Sequence, residues 1–164
     1  MLFRSTGLPN RVLLNDRIEH AVARARRSGR HVALLMVDMD GFKLVNDLHG
    51  HSVGDQMLEM VAERLTRCVR ETDTVARFGG DEFVILLEGL IDLGDALGVA
   101  DKLIASINDP FELTAGRMRV GVSVGIAYFP KDAPDAEHLL RRADMAMYSA
   151  KKSGRNRWQV YTDI

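Results

Sequence analysis

Nearly continuous apolar runs alternate along this chain with segments in which apolar residues recur at longer spacings. Residues 31–39 and 83–87 form two of these runs, which are typical of strands covered on both faces. Residues 118–129 instead alternate with a period of two, which predicts one continuous strand. The β-prone residues 74–78 and a final edge segment, 157–161, complete the predicted strands.

Four further segments repeat apolar residues at the spacing of an amphipathic helix. The first begins after the N-cap Asn10 and ends at Ser28-Gly29, and the second begins at Ser52. The third ends before Pro110, and the fourth spans residues 136–151. The apolar stripe of the third consists of Leu93, Leu97, Ala100, Ile104 and Ile107. A shorter helix is predicted over residues 41–48.

Strands and helices mix along the whole chain, and Gly79-Gly80 joins two of the strands as a tight hairpin. This arrangement predicts an α/β (α+β) sandwich with a central, mostly antiparallel sheet flanked by helices. Because no internal repeat, low-complexity run or linker divides the sequence, we expect residues 1–164 to form a single domain.

Composition narrows the possible partners. The 164 residues are 46% apolar and 27% charged, as in soluble globular proteins, and the net charge of -1 argues against a nucleic-acid partner held mainly through phosphates. The single cysteine, Cys68, excludes an internal disulfide and fits core packing in a reducing compartment. No apolar run reaches the length of a membrane span and no signal peptide is evident, so a cytoplasmic location is expected, although a parent protein could be anchored outside this segment.

Carboxylates follow two of the predicted strands. The hairpin places Asp81 and Glu82 at the rim of the sheet, and the first apolar run ends in Asp38 and Asp40, whose i, i+2 spacing puts them on one face. Brought together, these acids could hold a divalent metal through oxygen ligands, as Mg²⁺ prefers. The alternative is that they are turn formers and N-caps at strand ends.

Residues Gly79-Gly80-Asp81-Glu82-Phe83 are, letter for letter, the motif that names the GGDEF family of diguanylate cyclases. The resemblance covers nearly the whole chain and includes residues 6–11, 38–47, 50–55 and 154–157. It implies the palm-like fold shared with class III nucleotidyl cyclases. It also implies condensation of two GTP molecules into cyclic di-GMP and two pyrophosphates, by attack of a 3′-hydroxyl on an α-phosphate across a transient homodimer.

The resemblance assigns the reaction centre to a few residues. Mg²⁺, or alternatively Mn²⁺, would be held by Asp38, the backbone carbonyl of Met39, Asp81 and Glu82. Asp81 is also the candidate proton acceptor, Glu82 is either a ligand or part of the proton transfer, and Lys43 would stabilise the transition state. Carboxylate-held metal suits this chemistry because charge builds on the phosphoryl oxygens.

Substrate binding is implied for a second set: Gly41, Phe42, Lys43, Asn46, His51, Asp55, Gly79, Gly80, Lys151 and Arg155. Backbone N–H groups at 41–43 and the cations Lys151 and Arg155 suit phosphates. Asn46 and Asp55, with His51 nearby, would read guanine, which favours GTP over ATP because adenine lacks the matching donor pair. The alternatives are that Lys151 and Arg155 form a solvated helix C-terminus and that Asn46 and Asp55 cap helices.

A regulatory site is implied by Arg70 and Asp73, whose Arg-x-x-Asp spacing before Gly79 matches an inhibitory site for cyclic di-GMP. Lys102 lies where relatives place a secondary arginine, so product binding is expected to differ here. The alternative for Arg70 and Asp73 is a helix end followed by a turn.

The match departs from the family at its start, where residues 3–6 replace the usual Asp-x-Leu-Thr that ties the domain to a preceding segment. We interpret the chain as an excised domain, with sensor and phosphodiesterase neighbours expected because residues 140–144 and 155–158 resemble members followed by a phosphodiesterase. The rival function is a non-catalytic module that binds GTP or cyclic di-GMP and regulates a neighbour. A cyclase that makes a cyclic mononucleotide is a third alternative.

Overall fold

The computed structural model describes residues 6–163 of the chain. Its helices are α1 (Arg11–Ser28), α2 (Phe42–His49), α3 (His51–Arg67), α4 (Gly94–Asn108) and α5 (Ala136–Lys152). Its strands are β1 (His31–Asp40), β2 (Thr74–Gly79), β3 (Glu82–Leu90), β4 (Phe111–Leu113), β5 (Gly116–Met118), β6 (Gly121–Phe129) and β7 (Arg157–Val160). The departure from the family at residues 3–5 lies outside the described residues.

A five-stranded sheet in the order β2-β3-β1-β6-β7 forms the centre of the fold. All of its neighbouring strands are antiparallel except β6 and β7, which run parallel at one edge. The sheet therefore matches the predicted architecture, including the central hairpin and the final edge strand.

Helices cover both faces of this sheet. Alternate residues of β1 point to opposite faces, so Leu35 and Val37 pack into one cluster with α3 and α4. Leu34 and Met36 pack into a second cluster with α1 and α5. This double coverage explains why the run in β1 is apolar at nearly every position.

Capping residues begin and end α1 as the sequence predicts, whereas α3 begins at His51 after the N-cap Gly50 and not at Ser52. The Asn10 side chain accepts a hydrogen bond from Leu13 N at 3.2 Å, and Gly29 ends α1 in the left-handed conformation. Helix α4 ends at Asn108, before Pro110. These local signals fix α1, which packs across one face of the sheet.

Two details of the prediction were wrong. Residues 118–129 do not form one strand, because Met118 belongs to β5, which pairs with β4 in a separate two-stranded hairpin, and β6 begins only at Gly121. In α4 the buried stripe is Ala96, Ala100, Leu103 and Ile107, whereas Leu97 and Ile104 are only partly buried.

The alternation in β6 is between large and small residues, because both faces of this strand are covered by helices. Val122, Val124 and Ile126 fill one cluster, while Gly125 lies directly under α5. A Cβ on Gly125 would come within 2.1 Å of the Met147 nitrogen. The small residue therefore allows α5 to approach the sheet closely, which positions the end of that helix beside the end of β1.

Across residues 6–163, no helix has both the length and the apolar content needed to cross a membrane.

Candidate active site

The two acidic strand ends lie side by side. The antiparallel register of β1 and β3 pairs Asp38 with Glu82, and Met39 N donates to the Asp81 carbonyl oxygen at 3.3 Å. The structure thus brings together Asp38, Met39, Asp81 and Glu82, as predicted from two segments that are more than forty residues apart in sequence.

Asp38 is the most deeply buried of these acids, with 6% of its side chain exposed. Its Oδ2 atom contacts Lys151 Nζ, while Oδ1 is buried without a hydrogen-bond partner within the described chain. Burial raises the pKa of Asp38 to about 6, against the Lys151 hydrogen bond, and the negative charges of Asp81 and Glu82 act in the same direction as burial. An unpartnered buried carboxylate oxygen is costly unless a cation or donor satisfies it.

Asp40 has a different role from Asp38. Its Oδ1 accepts from Ser123 Oγ at 2.8 Å, and its Oδ2 accepts from the Asn156 backbone N–H at 2.9 Å. Arg155 Nη1 lies 3.6 Å from Asp40 Oδ1. Asp40 thus holds the segment after α5 in place. Because both of its carboxylate oxygens already accept hydrogen bonds, the expectation that Asp40 binds metal together with Asp38 is not supported.

Glu82 lies between two cavities on the α5 side of the sheet, of about 690 and 570 Å³. Asp144 of α5 lines both cavities with it. Burial raises the pKa of Glu82, and the carboxylates of Asp144 and Asp81 raise it further. The sequence reasoning missed Asp144, whose i, i+7 spacing from Lys151 places both on the same side of α5.

The hairpin tip is held by Arg77. Its Nε and Nη2 atoms donate to the Gly80 carbonyl oxygen at 3.1 and 2.7 Å. Burial lowers the pKa of Arg77, whereas the negative charges of Asp55 and Asp81 oppose this effect, so both carboxylates act on the same guanidinium. Gly80 has φ 52°, and a Cβ on Gly79 would meet no atom within 4 Å, which leaves open space above the turn.

The oxygen atoms of Asp38, Met39, Asp81 and Glu82 are of the type that binds a divalent cation, although their side chains do not converge on one point. Within residues 6–163, no group of three or more His, Cys, Asp or Glu side chains is placed to hold a metal ion. The Lys151 ammonium lies against Asp38 and supplies a positive charge there. Hard oxygen donors and the unpartnered Asp38 Oδ1 fit Mg²⁺, provided that Lys151 yields its place.

Helices α2 and α3 carry the predicted phosphate and guanine residues. Gly41 and Gly50 are the N-caps and neither provides a side-chain cap, while Asn46 and Asp55 lie inside the helices, which excludes the capping alternative for both. Asn46 Oδ1 is buried and has no hydrogen-bond partner among the described residues. A Cβ on Gly54 would come within 1.8 Å of that oxygen, so Gly54 is a further residue on which the site depends.

Most of the remaining residues predicted on this side reach solvent. Lys43, His51 and Asp55 are exposed, whereas the Phe42 ring is buried. Lys43 follows the left-handed Gly41 at the start of α2. The exposed polar groups are therefore available to a ligand lying along the first turns of α2 and α3.

Arg70 and Asp73 form a fixed pair. Arg70 Nε and Nη2 donate to the two Asp73 oxygens at 3.2 and 3.1 Å, and these contacts raise the pKa of Arg70. Arg70 Nη2 also donates to the Glu88 carbonyl oxygen at 2.7 Å, and Glu88 N donates to Asp73 Oδ1 at 3.3 Å. Lys102 lies on α4, and within residues 6–163 no hydrogen bond or ion pair joins it to this pair.

Arg70 also lines a cavity of about 720 Å³ at the end of α1. Three more arginines line it: Arg24, Arg27 and Arg30. Sequence reasoning missed them because Arg27 in the last turn of α1 is readily explained by the helix macrodipole, and because Arg24 and Arg30 belong to no recognisable motif. The predicted regulatory pair thus opens onto a strongly basic cavity.

Comparison with known proteins yields a family match and close structural relatives. The family model described as the diguanylate cyclase GGDEF domain matches residues 4–157. The chain is 48% identical over 151 residues to the bifunctional diguanylate cyclase/cyclic di-GMP phosphodiesterase MucR of Pseudomonas aeruginosa, covering 92% of this chain and 22% of MucR. The chain thus spans less than a quarter of that curated relative.

Two solved structures are similar over nearly the whole chain. A truncated form of TpbB from Pseudomonas aeruginosa that comprises only the GGDEF domain has a TM-score of 0.96 at 39% identity, covering 99% of this chain and 95% of that chain. The GGDEF domain of DgcB from Caulobacter crescentus in complex with c-di-GMP has a TM-score of 0.90 at 27% identity, covering 97% and 94%.

Proposed function

The chain belongs to the GGDEF domain family of diguanylate cyclases, and we propose that it condenses two GTP molecules into cyclic di-GMP with release of two pyrophosphates. The observation that carries this proposal is the pairing of Asp38 with Glu82 beside Asp81, with one Asp38 oxygen buried and unpartnered. We treat residues 1–164 as one catalytic domain, since both hydrophobic clusters pack on a single sheet.

The metal ligands in this proposal are Asp38, the Met39 carbonyl, Asp81 and Glu82, with Mg²⁺ as the cofactor. When bound, the metal would polarise the α-phosphate and lower the pKa of the attacking 3′-hydroxyl. Asp81 is also the proposed proton acceptor, and Glu82 acts either as a further ligand or in the proton transfer.

The triphosphate is proposed to lie between the first turn of α2 and the end of α5. The backbone N–H groups of Gly41, Phe42 and Lys43 belong to the N-terminus of α2, where N–H groups lack intrahelical partners, and the Lys43 side chain is exposed. Lys151 and Arg155 approach from the opposite side, since both contact acids at the end of β1. In this arrangement cationic and amide donors surround the charge that develops on the phosphoryl groups.

Guanine recognition is assigned to Asn46, Asp55 and His51. The unpartnered Asn46 Oδ1 needs a donor, and guanine offers N–H groups at N1 and N2. The exposed Asp55 carboxylate can accept from the same edge. Gly79 and Gly80 leave space for the sugar and base above the hairpin. The donor pair supports GTP over ATP as substrate.

Each chain supplies one such half-site, and the reaction joins two GTP molecules, so we propose a transient homodimer with the half-sites facing each other. Cyclic di-GMP is also proposed to bind and inhibit at Arg70 and Asp73, with Lys102 as a peripheral member. The DgcB domain, whose structure is a complex with c-di-GMP, supports the binding of this nucleotide by a GGDEF domain. By analogy with the bifunctional MucR, a phosphodiesterase neighbour is proposed for a longer chain. A sensor neighbour is also proposed.

A second candidate function is a non-catalytic module that binds GTP or cyclic di-GMP. Two related observations favour it. Lys151 forms an ion pair with Asp38, and the acids within residues 6–163 are not grouped so that three of them could hold a metal ion. Intact Asp38, Asp81 and Glu82 favour catalysis.

The deciding experiment is GTP turnover with Mg²⁺ over a range of protein concentrations, with products separated by chromatography. Cyclic di-GMP that forms faster than linearly with protein concentration supports a dimeric cyclase. Asp81→Ala should abolish product, whereas Asp16→Ala, at an exposed position on α1, should leave it intact. GTP binding without any product, even at high protein concentration, would favour the regulatory module.

A further inference from the structure

One acid lies among the arginines of the cavity at the end of α1. Of the described residues that line it, Arg24, Arg27, Arg30 and Arg70 are cationic and Glu88 alone is acidic. Four guanidinium groups at one cavity favour an anionic ligand, since their planar forks match phosphate oxygens. The carboxylate of Glu88 is therefore an unfavourable neighbour for any such ligand.

Contacts on both sides hold Glu88 in this cavity. Its backbone bonds to Arg70 and Asp73 fix its position at the end of β3. Its Oε1 accepts from Arg24 Nε at 3.2 Å and also contacts Arg24 Nη2. Only 18% of the Glu88 side chain is exposed. The carboxylate thus occupies the donor edge of Arg24 that a phosphate would otherwise use.

The other arginines of the cavity differ from Arg24. Within residues 6–163, Arg27 and Arg30 form no ion pair with an acid, and the Arg70 carboxylate partner, Asp73, belongs to the Arg-x-x-Asp pair itself. Glu88 is therefore the residue whose carboxylate competes directly with a ligand for a cavity arginine.

We propose that Glu88 is an internal counter-anion that sets the affinity of the arginine cavity for a phosphodiester ligand by occupying Arg24. The proposal rests on the proposed binding of cyclic di-GMP at this cavity. A bound phosphodiester must either displace the carboxylate from Arg24 or lie beside a like charge, and both lower affinity. Glu88 thereby keeps the site empty until the ligand reaches a higher concentration.

The test is calorimetric titration of cyclic di-GMP into the wild-type chain and three variants. Glu88→Gln keeps the shape of the side chain, removes its charge, and is expected to tighten binding about tenfold. Glu112→Gln is the matched control, since Glu112 also pairs with an arginine, Arg117, but outside the cavity. It should bind as the wild type does, whereas Arg70→Ala should lose binding.

A double-mutant cycle tests the route through Arg24. In an Arg24→Gln background, the gain in affinity from Glu88→Gln should be smaller than in the wild type, because no arginine is freed there and only the like-charge repulsion is relieved. Unchanged or weaker binding by Glu88→Gln alone would overturn the proposal and leave the cyclic di-GMP site standing. A gain that is equally large without Arg24 would overturn the assigned route. If neither the wild type nor Glu88→Gln binds cyclic di-GMP, the proposed regulatory site fails, and this inference fails with it.

Discussion

The Lys151 ammonium on α5 contacts the Asp38 carboxylate at the end of β1. The two residues are proposed to bind different parts of the same reaction assembly, namely the triphosphate and the metal. Because they pair directly, the Lys151 ammonium takes the place of the metal ion beside Asp38 in the metal-free protein. Binding of metal and nucleotide should therefore separate the pair, with Lys151 turning toward the phosphates.

Lys151→Met should tighten the binding of a divalent cation in the absence of nucleotide, because the competing ammonium is gone. We expect an affinity gain of about five- to tenfold, together with weaker GTP binding. Titration with Mn²⁺, followed by electron paramagnetic resonance of the free ion, measures the first effect. Lys152→Met is the control, since Lys152 is exposed and lies over the Tyr148 ring. Equal or weaker Mn²⁺ binding in Lys151→Met would contradict the competition.

The stability of the metal-free protein should depend on pH through Asp38. Its pKa is about 6 in the folded chain and 3.8 as the ordinary value, so the folded state binds the proton more tightly. The contribution of Asp38 to stability is then most favourable at low pH, falls as pH rises from about 4 to 6, and levels off above that range. The full change corresponds to about 2 to 3 kcal/mol.

This dependence can be isolated with Asp38→Asn, which cannot titrate at this position. Urea unfolding with a chelator present, from pH 4 to 7, should show the variant gaining stability relative to the wild type as pH rises from about 4 to 6, with a constant difference above that range. A difference between the two proteins that stays constant with pH would show that Asp38 titrates normally.

Gly54→Ala should impair GTP binding through Asn46. The new methyl group would overlap Asn46 Oδ1, which lies 1.8 Å from the ideal Cβ position, so the amide must move. We expect a raised KM for GTP and a loss of about 1 to 3 kcal/mol in the free energy of unfolding.

Gly98→Ala is the matched control, because Gly98 lies in α4 and a Cβ there meets no atom within 4 Å. It should leave KM unchanged and add about 0.5 to 1 kcal/mol of stability. A KM for Gly54→Ala equal to that of the wild type would remove Asn46 from the proposed guanine site.

Arg70→Ala should abolish product inhibition while leaving turnover measurable, since Arg70 lies outside the metal and substrate residues. Initial rates with added cyclic di-GMP measure this directly. Arg117→Ala removes an arginine from another exposed ion pair and should stay fully inhibitable. Inhibition of Arg70→Ala at wild-type concentrations of cyclic di-GMP would place the regulatory site elsewhere.

Much of this fold could be predicted because the signals are local. The apolar run in β1 is long enough to identify a strand covered on both faces, and Asn10 and Gly29 mark the limits of α1 through their own conformations. The hairpin at Gly80 follows from two glycines between β-prone segments. These features depend on neighbours in sequence, which pattern analysis can read.

Features set by tertiary contacts were less predictable. Nothing in the alternation over 118–129 reveals that Met118 pairs with Phe111, because both possible strands share the same period. Asp38 and Asp40 look alike in sequence, and only Ser123 and the segment after α5 distinguish them. The role of Gly54 depends likewise on an Asn46 side chain from a different helix.

Asp38 and Asp40 lie two residues apart on one face of β1 and have different roles. One acid has an oxygen left for a ligand, and the other fixes the backbone that carries Arg155 and Asn156. A deletion of one residue in the preceding part of β1 would turn both acids toward α3 and α4 without changing either of them. The segment proposed to bind phosphate would then lose its contact with Asp40, and the proposed metal site would lose Asp38 at the same time. The register of β1, and not only the identity of the two aspartates, therefore determines this half of the site.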